Sequence, residues 1–102
     1  MYTVFVANGW KFDWDRANVA HIARHKVTPD EAEHVLKNDP IDLGYAFVDG
    51  EHRWAVLGHT SNLRIILCVW TIRGDDTIRV VTAREAIRKE RMAYLQARGL
   101  LI

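Results

Sequence analysis

Arg73, Arg79 and Arg84 lie close together in the second half of the chain. The guanidinium group is permanently charged, and its planar fork of N–H donors matches two oxygens of one phosphate. Arg73 ends an apolar run, residues 74–76 have the composition of a tight turn, and Arg79 lies in the β-prone segment that follows. One hairpin, and the helix predicted after it, could therefore bring the three side chains to a common phosphate.

The register of this hairpin decides whether Arg73 and Arg79 share a face, because side chains alternate across a strand. With a loop of three residues, 74–76, both arginines face the same way, whereas a loop of two residues puts them on opposite faces. We favour the three-residue loop because it buries Ile72 together with Ile78. The sequence alone leaves both registers open.

The charge of the chain is balanced overall but not along its length. It has 14 Lys and Arg residues against 13 Asp and Glu, which taken alone argues against a nucleic-acid-binding protein. Residues 1–51 carry a net charge of −4, however, and residues 52–102 carry +5. One face can then be positive although the net charge is only +1, unless the two halves mix in space and cancel.

The length of 102 residues predicts a single domain, residues 1–102, with one core. The single cysteine, Cys68, lies in an apolar run and has no partner for an internal disulfide, so we expect a small buried side chain. That run, 65–72, is too short to cross a bilayer, and the first residues lack the features of a signal peptide. We expect a cytoplasmic protein.

Two helix starts precede residue 40. Asp13 or Asp15 can cap a helix over about 16–25. Thr28-Pro29-Asp30-Glu31 is a stronger signal, because it combines a capping hydroxyl, proline at the first helical position and a carboxylate three residues after the cap. Asn38-Asp39-Pro40 then ends this second helix.

The hydrophobic period changes from helical to two at Ile41, which predicts a series of strands. The near-continuous apolar run of the third strand indicates a central position that is covered on both faces. The whole order predicts an α+β fold with N-terminal helices, an antiparallel four-stranded sheet meander and a C-terminal helix. The predicted strands are about 41–47, 53–58, 63–73 and 77–81, and residues 3–7 are a further β-prone run.

Thr82-Ala83-Arg84-Glu85 repeats the capping-box pattern and predicts a C-terminal helix that runs to about residue 98, with Gly99 as its end. Four arginines would then form a basic stripe on one face of this helix. Such stripes are ordinarily solvated surface. The four arginines of the predicted stripe are Arg84, Arg88, Arg91 and Arg98.

Short motifs in a fixed order extend over most of residues 12–94. They are Phe12-Asp-Trp-Asp15, Arg24-His25-Lys26-Val27-Thr28, Glu51-His52-Arg53-Trp54, Leu57-Gly58, Val69-Trp70-Thr71-Ile72-Arg73 and Arg79-Val-Val-Thr-Ala-Arg84, followed by Ala86, Glu90-Arg91 and Tyr94. In order and spacing they resemble the BrnT family, the ribonuclease toxins of bacterial type II toxin–antitoxin pairs. The resemblance implies a RelE-like ribonuclease fold, a compact antiparallel sheet flanked by helices.

Two positions depart from the family pattern. Lys26 stands where the family usually has a glycine, so we expect the tight turn between the first two helices to be made differently. His21 stands where an asparagine is expected.

The resemblance implies metal-independent cleavage of RNA, in which the ribose 2′-hydroxyl attacks the neighbouring phosphate and leaves a cyclic phosphate and a free 5′-hydroxyl. We predict that Arg73, Arg79 and Arg84 stabilise the charge that builds on the phosphoryl oxygens. His25 matches a family position and is a candidate general acid or base, or alternatively a cap or packing residue at the helix end. Further RNA contacts are assigned to Arg53, Arg64, Arg88 and Arg91.

Other candidate residues have structural interpretations. Glu51 and Arg53 also match family positions, and an ion pair that braces the sheet is the more ordinary role for them. His21 and His25 lie one helical turn apart, a zinc-binding spacing, but no Cys or carboxylate cluster completes a metal site, and we expect neither metal nor cofactor. Trp10 is the tryptophan with the best claim to exposure, where it would stack on RNA or bind a partner.

As partners, the resemblance implies an RNA substrate and a small BrnA-like antitoxin of the ribbon-helix-helix type. The toxin would reach operator DNA only through this antitoxin, and no membrane contact is expected. The alternative function is a catalytically degenerate toxin-like module that keeps antitoxin binding and promoter corepression. An enzyme acting on another phosphorylated substrate has no positive support.

Overall fold

Residues 10–100 are described by a computed structural model, and they form three helices and five strands. The helices are α1 (Arg16–Ala23), α2 (Pro29–Lys37) and α3 (Arg88–Ala97). The strands are β1 (Lys11–Phe12), β2 (Ile41–Val48), β3 (Glu51–His59), β4 (Ile65–Arg73) and β5 (Thr77–Glu85). The β-prone run at 3–7 lies outside the described residues. None of the three helices is long and apolar enough to cross a membrane.

The five strands form one sheet in the order β1-β5-β4-β3-β2. The α+β class is confirmed, β2 to β5 make the predicted antiparallel meander, and β4 has the predicted central position. The prediction of four antiparallel strands is wrong in one respect, because β1 adds a fifth strand that runs parallel to β5, with Lys11 opposite Thr77. A strand of two residues is too short to show periodicity in a sequence.

Helices cover both faces of the sheet. α1 and α2 cover one face, where Ile22 is fully buried in the larger apolar cluster. α3 covers part of the opposite face, where Tyr94 packs with Leu57 and Leu67. Cys68 is buried at the centre, as predicted, and burial raises the pKa of its thiol to about 12. We call these two sides of the sheet the α1/α2 face and the α3 face.

Both predicted helix starts are confirmed. Asp15 is the N-cap of α1 and accepts hydrogen bonds from two backbone N–H groups of the first turn. Thr28 is the N-cap of α2, and its hydroxyl and the Glu31 carboxylate make the two reciprocal bonds of a capping box. α1 is shorter than predicted, because it ends at Ala23.

The turn between α1 and α2 has the geometry that glycine favours, although the residue is Lys26. Its φ is +59°, in the left-handed region. The Lys26 N–H donates to the Ala23 carbonyl at 3.0 Å and the Val27 N–H to the Ile22 carbonyl at 3.1 Å, which is the bond pair of a Schellman motif. The expectation that this turn is made differently is therefore wrong. Burial of Ile22 and Val27 holds the lysine in a conformation that costs about 1 kcal/mol.

The C-terminal helix starts later than predicted. Residues 82–85 continue β5 and pair with β4 as far as Ile66. Ile66 and Cys68 are fully buried, so the backbone N–H and C=O groups of this part of β4 need partners, which the continuation of β5 supplies. α3 begins only at Arg88. Arg84 is therefore a strand residue, and the predicted helical stripe loses its first member.

Trp10 is not the exposed aromatic residue that the sequence predicted. It is partly buried and packs against the core, as do Trp14 and Trp54. Trp14 also donates its indole N–H to a carboxylate oxygen of Glu33 at 2.8 Å. Trp70 is buried in the central strand. The four tryptophans thus contribute to the core or its margin.

Gly58 allows α2 to pack close to β3. A Cβ atom at this position would lie 2.7 Å from Val35 Cγ1 and 3.2 Å from the Val35 carbonyl oxygen. Any larger residue would push α2 away from the sheet.

Candidate active site

The pairing of β4 with β5 decides where the first two arginines point. Arg73 lies opposite Thr77, and Thr71 lies opposite Arg79. This is the register of the favoured three-residue loop, which is therefore confirmed. Directly paired residues project to the same side of a sheet, so both arginines share a face. It is the α3 face, because Leu67 has the same parity in β4 as Arg73.

A β-bulge brings Arg84 to this face as well. The register shifts beside Val69, and Val81 is the extra residue in β5. Because side chains alternate along a strand, the odd spacing from Arg79 to Arg84 would otherwise send them to opposite sides. With the bulge, Arg84 lies opposite Leu67 and all three arginines lie on the α3 face.

A cleft of about 310 Å³ opens beside the edge of β5. α1 packs Ile22 on the α1/α2 face, but its Asn18 bonds to the Val80 carbonyl at this edge, so residues of α1 line the cleft together with side chains of the α3 face. Its charged lining residues are three arginines and one glutamate, so the lining is positive. Arg84 is not one of them, although it shares the face. The polar and charged lining residues are Asn18, His21, Glu51, Arg53, Arg73 and Arg79.

Glu51 joins two of the cleft arginines. One carboxylate oxygen accepts a hydrogen bond from Arg53 Nε at 3.0 Å, and the other accepts one from Arg73 Nη2 at 3.0 Å. The expected ion pair between Glu51 and Arg53 is thus present, and it extends across to β4. The Arg73 side chain is still 54% exposed, so an anion from solvent can reach it.

Arg79 is held by two aspartates that precede α1. Its Nη1 donates to Asp13 at 3.2 Å and to Asp15 at 3.0 Å, and its Nη2 donates to the second oxygen of Asp15 at 3.2 Å. The hydrogen bond with Arg79 lowers the pKa of Asp15, and the same bond raises the pKa of Arg79. The cation is thereby fixed in one orientation at the edge of the cleft.

Arg84 is engaged outside the cleft. Its two Nη atoms donate to the two oxygens of Glu90 at 2.8 and 3.0 Å. Glu90 also accepts the Ile87 N–H at 2.9 Å, so the pair connects β5 to the start of α3. The hydrogen bond from Arg84 lowers the pKa of Glu90. The structure therefore brings Arg73 and Arg79 together with Arg53 in the cleft lining. Arg84 lies on the same face but outside the lining, in a bidentate contact with Glu90.

The histidine in the cleft is His21, whereas the sequence favoured His25 as the acid–base candidate. His21 is an exposed residue of α1, and its Nε2 lies 3.0 Å from Thr82 Oγ1. His25 follows the end of α1, outside the cleft lining, with its ring centroid 5.6 Å from that of His21. Sequence reasoning treated His21 as a departure from the family pattern and as a candidate metal ligand, because no local pattern shows that α1 lies beside Thr82.

Asn18, a second lining residue that sequence reasoning missed, anchors α1 to the sheet. Its Nδ2 donates to the carbonyl oxygens of Asp13 at 2.9 Å and Val80 at 3.2 Å, and its Oδ1 accepts the Asp15 N–H at 2.8 Å. It is only 4% exposed, so these bonds satisfy a buried amide. They set the position of α1, and so of His21, relative to Arg79.

Comparison with known families gives a match over most of the chain. A family model of the ribonuclease toxin BrnT of type II toxin–antitoxin systems matches residues 14–90. The chain belongs to the BrnT family. No protein with a curated description matches it. The matched BrnT segment contains every polar and charged residue of the cleft lining, and membership of a type II family implies an antitoxin as partner.

The other arginines predicted to contact RNA are dispersed in this BrnT fold. Arg64 lies in the turn before β4 and donates to Glu31 at 2.7 Å. Arg88 and Arg91 are exposed on α3. Of the four residues in that set, Arg53 alone lines the cleft.

Over residues 10–100 of this BrnT chain, no three histidine, cysteine or carboxylate side chains are arranged to hold a metal ion. His21 and His25 are close to each other, but their rings meet edge to face.

Proposed function

We propose that this protein is a RelE-like endoribonuclease of the cytoplasm that cleaves RNA without a metal ion, through attack of a ribose 2′-hydroxyl on the adjacent phosphate. The observation that carries the proposal is the meeting of Arg53, Arg73 and Arg79 with His21 at one cleft. Its volume of about 310 Å³ is at the lower end of ligand sites and suits a phosphate with its ribose.

The carboxylates that bind the cleft arginines indicate where a phosphate would bind. Glu51 presents two oxygens to Arg53 and Arg73, and Asp15 presents two oxygens to Arg79. A phosphate offers the same pair of acceptors to a guanidinium group. Partly exposed ion pairs contribute little to stability, so an RNA phosphate can replace these carboxylates.

The arginines would act on the charge that develops during cleavage. As the 2′-oxygen bonds to phosphorus, negative charge builds on the phosphoryl oxygens, and Arg73 and Arg79 would donate to them. One donor that is fixed before the reaction is worth about 3 kcal/mol, or roughly a hundredfold in rate. Arg84 extends the positive surface along β5, and Arg88 and Arg91 extend it along α3.

The partner that controls this activity is proposed to be a BrnA-like antitoxin of the ribbon-helix-helix type. Its inhibitory segment would cover the cleft arginines, which a segment with acidic residues does best. Contact with operator DNA would occur through the antitoxin only.

The test is cleavage of purified RNA in EDTA by the wild type, Arg79→Ala, Arg79→Lys and Arg98→Ala. Arg98→Ala removes the same charge at a residue that pairs with Asp39, away from the cleft. We expect wild-type rates for Arg98→Ala and losses of about a hundredfold or more for Arg79→Ala. Arg79→Lys should be intermediate at best, because a point charge lacks the two-pronged geometry. Unfolding curves establish that each variant is folded.

Equal rates for Arg79→Ala and Arg98→Ala would contradict the proposed role of the cleft. Wild-type protein that binds its antitoxin and represses the promoter but leaves RNA intact would indicate the degenerate, corepressing module instead.

A further inference from the structure

We propose that His21 is the general base that takes the proton from the attacking 2′-hydroxyl, an assignment that rests on the proposed ribonuclease function. The resemblance places an asparagine at this position, so the assignment concerns this chain. It gives the cleft a proton acceptor besides Glu51, whose two oxygens already accept hydrogen bonds from Arg53 and Arg73.

Position is the first argument. His21 lies on the exposed side of α1 and lines the same cleft as Arg73 and Arg79. α1 cannot drift from the sheet without breaking the buried bonds of Asn18 to Val80 and Asp13. The imidazole is therefore held beside the proposed phosphate site.

Orientation of the ring is the second argument. The contact between His21 Nε2 and Thr82 Oγ1, at 3.0 Å, engages one ring nitrogen. Thr82 lies opposite Val69 in the bulged part of β5, on the same face as Arg79. The proposal requires the Thr82 hydroxyl to accept from Nε2–H, because the lone pair of Nδ1 is then the proton acceptor.

The other four histidines lie elsewhere. His25 is outside the cleft lining. His34 and His59 meet edge to face, and His59 also contacts Tyr94 under α3. His52 stacks on Tyr45, on the face opposite the arginines.

The step balances without a co-reactant. The 2′-oxygen forms a bond to phosphorus while its proton moves to His21. The bond from phosphorus to the 5′-oxygen breaks, and the 5′-oxygen leaves with the electron pair and takes a proton from water. The products are a 2′,3′-cyclic phosphate and a 5′-hydroxyl, and His21 returns its proton to solvent.

Other charged and titratable groups lie close to His21. Glu51, Arg53, Arg73 and Arg79 line the cleft with it, and the His25 ring lies next to it on α1.

The decisive variant is His21→Asn, with His34→Asn as its matched control. Asparagine can keep a hydrogen bond to Thr82 but cannot accept a proton near neutral pH. The measurements are single-turnover cleavage of a short RNA in EDTA from about pH 5 to pH 8, and binding of the same oligonucleotide with 2′-deoxyriboses, which lacks the nucleophile.

We expect His21→Asn to bind the deoxy oligonucleotide as the wild type does, to cleave RNA about a hundredfold or more slowly, and to lose the rise of rate with pH at the acidic end. His34→Asn should keep both the rate and the profile. Cleavage by His21→Asn at the wild-type rate and with the wild-type profile would overturn the assignment alone. A wild-type protein without ribonuclease activity would overturn the proposed function, and this assignment with it.

Discussion

Asn18 Nδ2 donates to the backbone carbonyl of Val80 at 3.2 Å, and this bond joins α1 to the strand that carries Arg79. Asn18 also donates to the Asp13 carbonyl, in the segment whose carboxylate contacts the same arginine. A single buried amide thus connects the two walls of the cleft.

Replacement of Asn18 by alanine should lower the free energy of unfolding by about 2 kcal/mol, because it leaves buried backbone groups without partners. Urea denaturation measures this loss. Asn38→Ala is the matched control, since Asn38 donates to a backbone carbonyl on the exposed end of α2 and should cost about 0.5 kcal/mol or less. Equal losses for the two variants would show that the buried bonds of Asn18 stabilise the fold no more than the exposed bond of Asn38.

Lys26→Gly should stabilise the protein by about 1 kcal/mol, because glycine adopts the positive φ at this position without strain. The thermal midpoint should rise by about 5 °C in a chain of this size. Ala93→Gly, at an exposed position inside α3, is the opposite control and should destabilise by about 1 kcal/mol. A fall in midpoint for Lys26→Gly would mean that the lysine side chain is itself stabilising.

Asp15→Asn should tighten RNA binding several-fold at low salt, because it removes a carboxylate that competes with phosphate for Arg79. Asparagine caps a helix as well as aspartate does, so α1 should stay intact. Binding of a 2′-deoxy oligonucleotide at several salt concentrations measures the effect, which should shrink as salt rises. Asp30→Asn removes the same charge in α2, and a similar gain there would point to net charge rather than to the cleft.

The pair of Arg84 and Glu90 should make the free energy of unfolding depend on pH in the acidic range. The hydrogen bond to Arg84 lowers the pKa of Glu90 from 4.5, so the unfolded chain takes up this proton first as the pH falls. The stabilisation is complete above 4.5 and is lost as the pH falls through the lower, folded value.

Glu90→Gln should therefore be less stable than the wild type at neutral pH, and the two unfolding free energies should converge as the pH falls below 4.5. Urea denaturation over a series of pH values provides the comparison. Arg84→Met should converge in the same way, because it removes the other partner. A constant difference at every pH would exclude this pair as the source.

Signals confined to a few neighbouring residues predicted the structure well. The capping box at Thr28 and Glu31 and the aspartate cap of α1 depend only on the adjacent turn of helix. The hairpin register followed from burying Ile72 and Ile78, which pair directly. The same local reasoning mispredicted the Lys26 turn, because the strain of this turn is offset by core packing that the sequence does not display.

Features that depend on contacts between distant segments were not predicted from the sequence. β1 exists only because β5 lies beside it. Residues 82–85 have a helix-start pattern, and the need of β4 for backbone partners overrides it. The choice of His21 over His25, and the contacts of Arg79 with Asp13 and Asp15, arise from how α1 docks on the sheet.

The bulge at Val81 has an evolutionary consequence. A relative with the same spacing but a regular β5 between Arg79 and Arg84 would turn Arg84 toward the α1/α2 face, although every charged group of the chain survives. An inventory of motif residues would score such a relative as intact. Among BrnT homologues, then, the presence of this bulge is as informative as the identities of the arginines on either side of it.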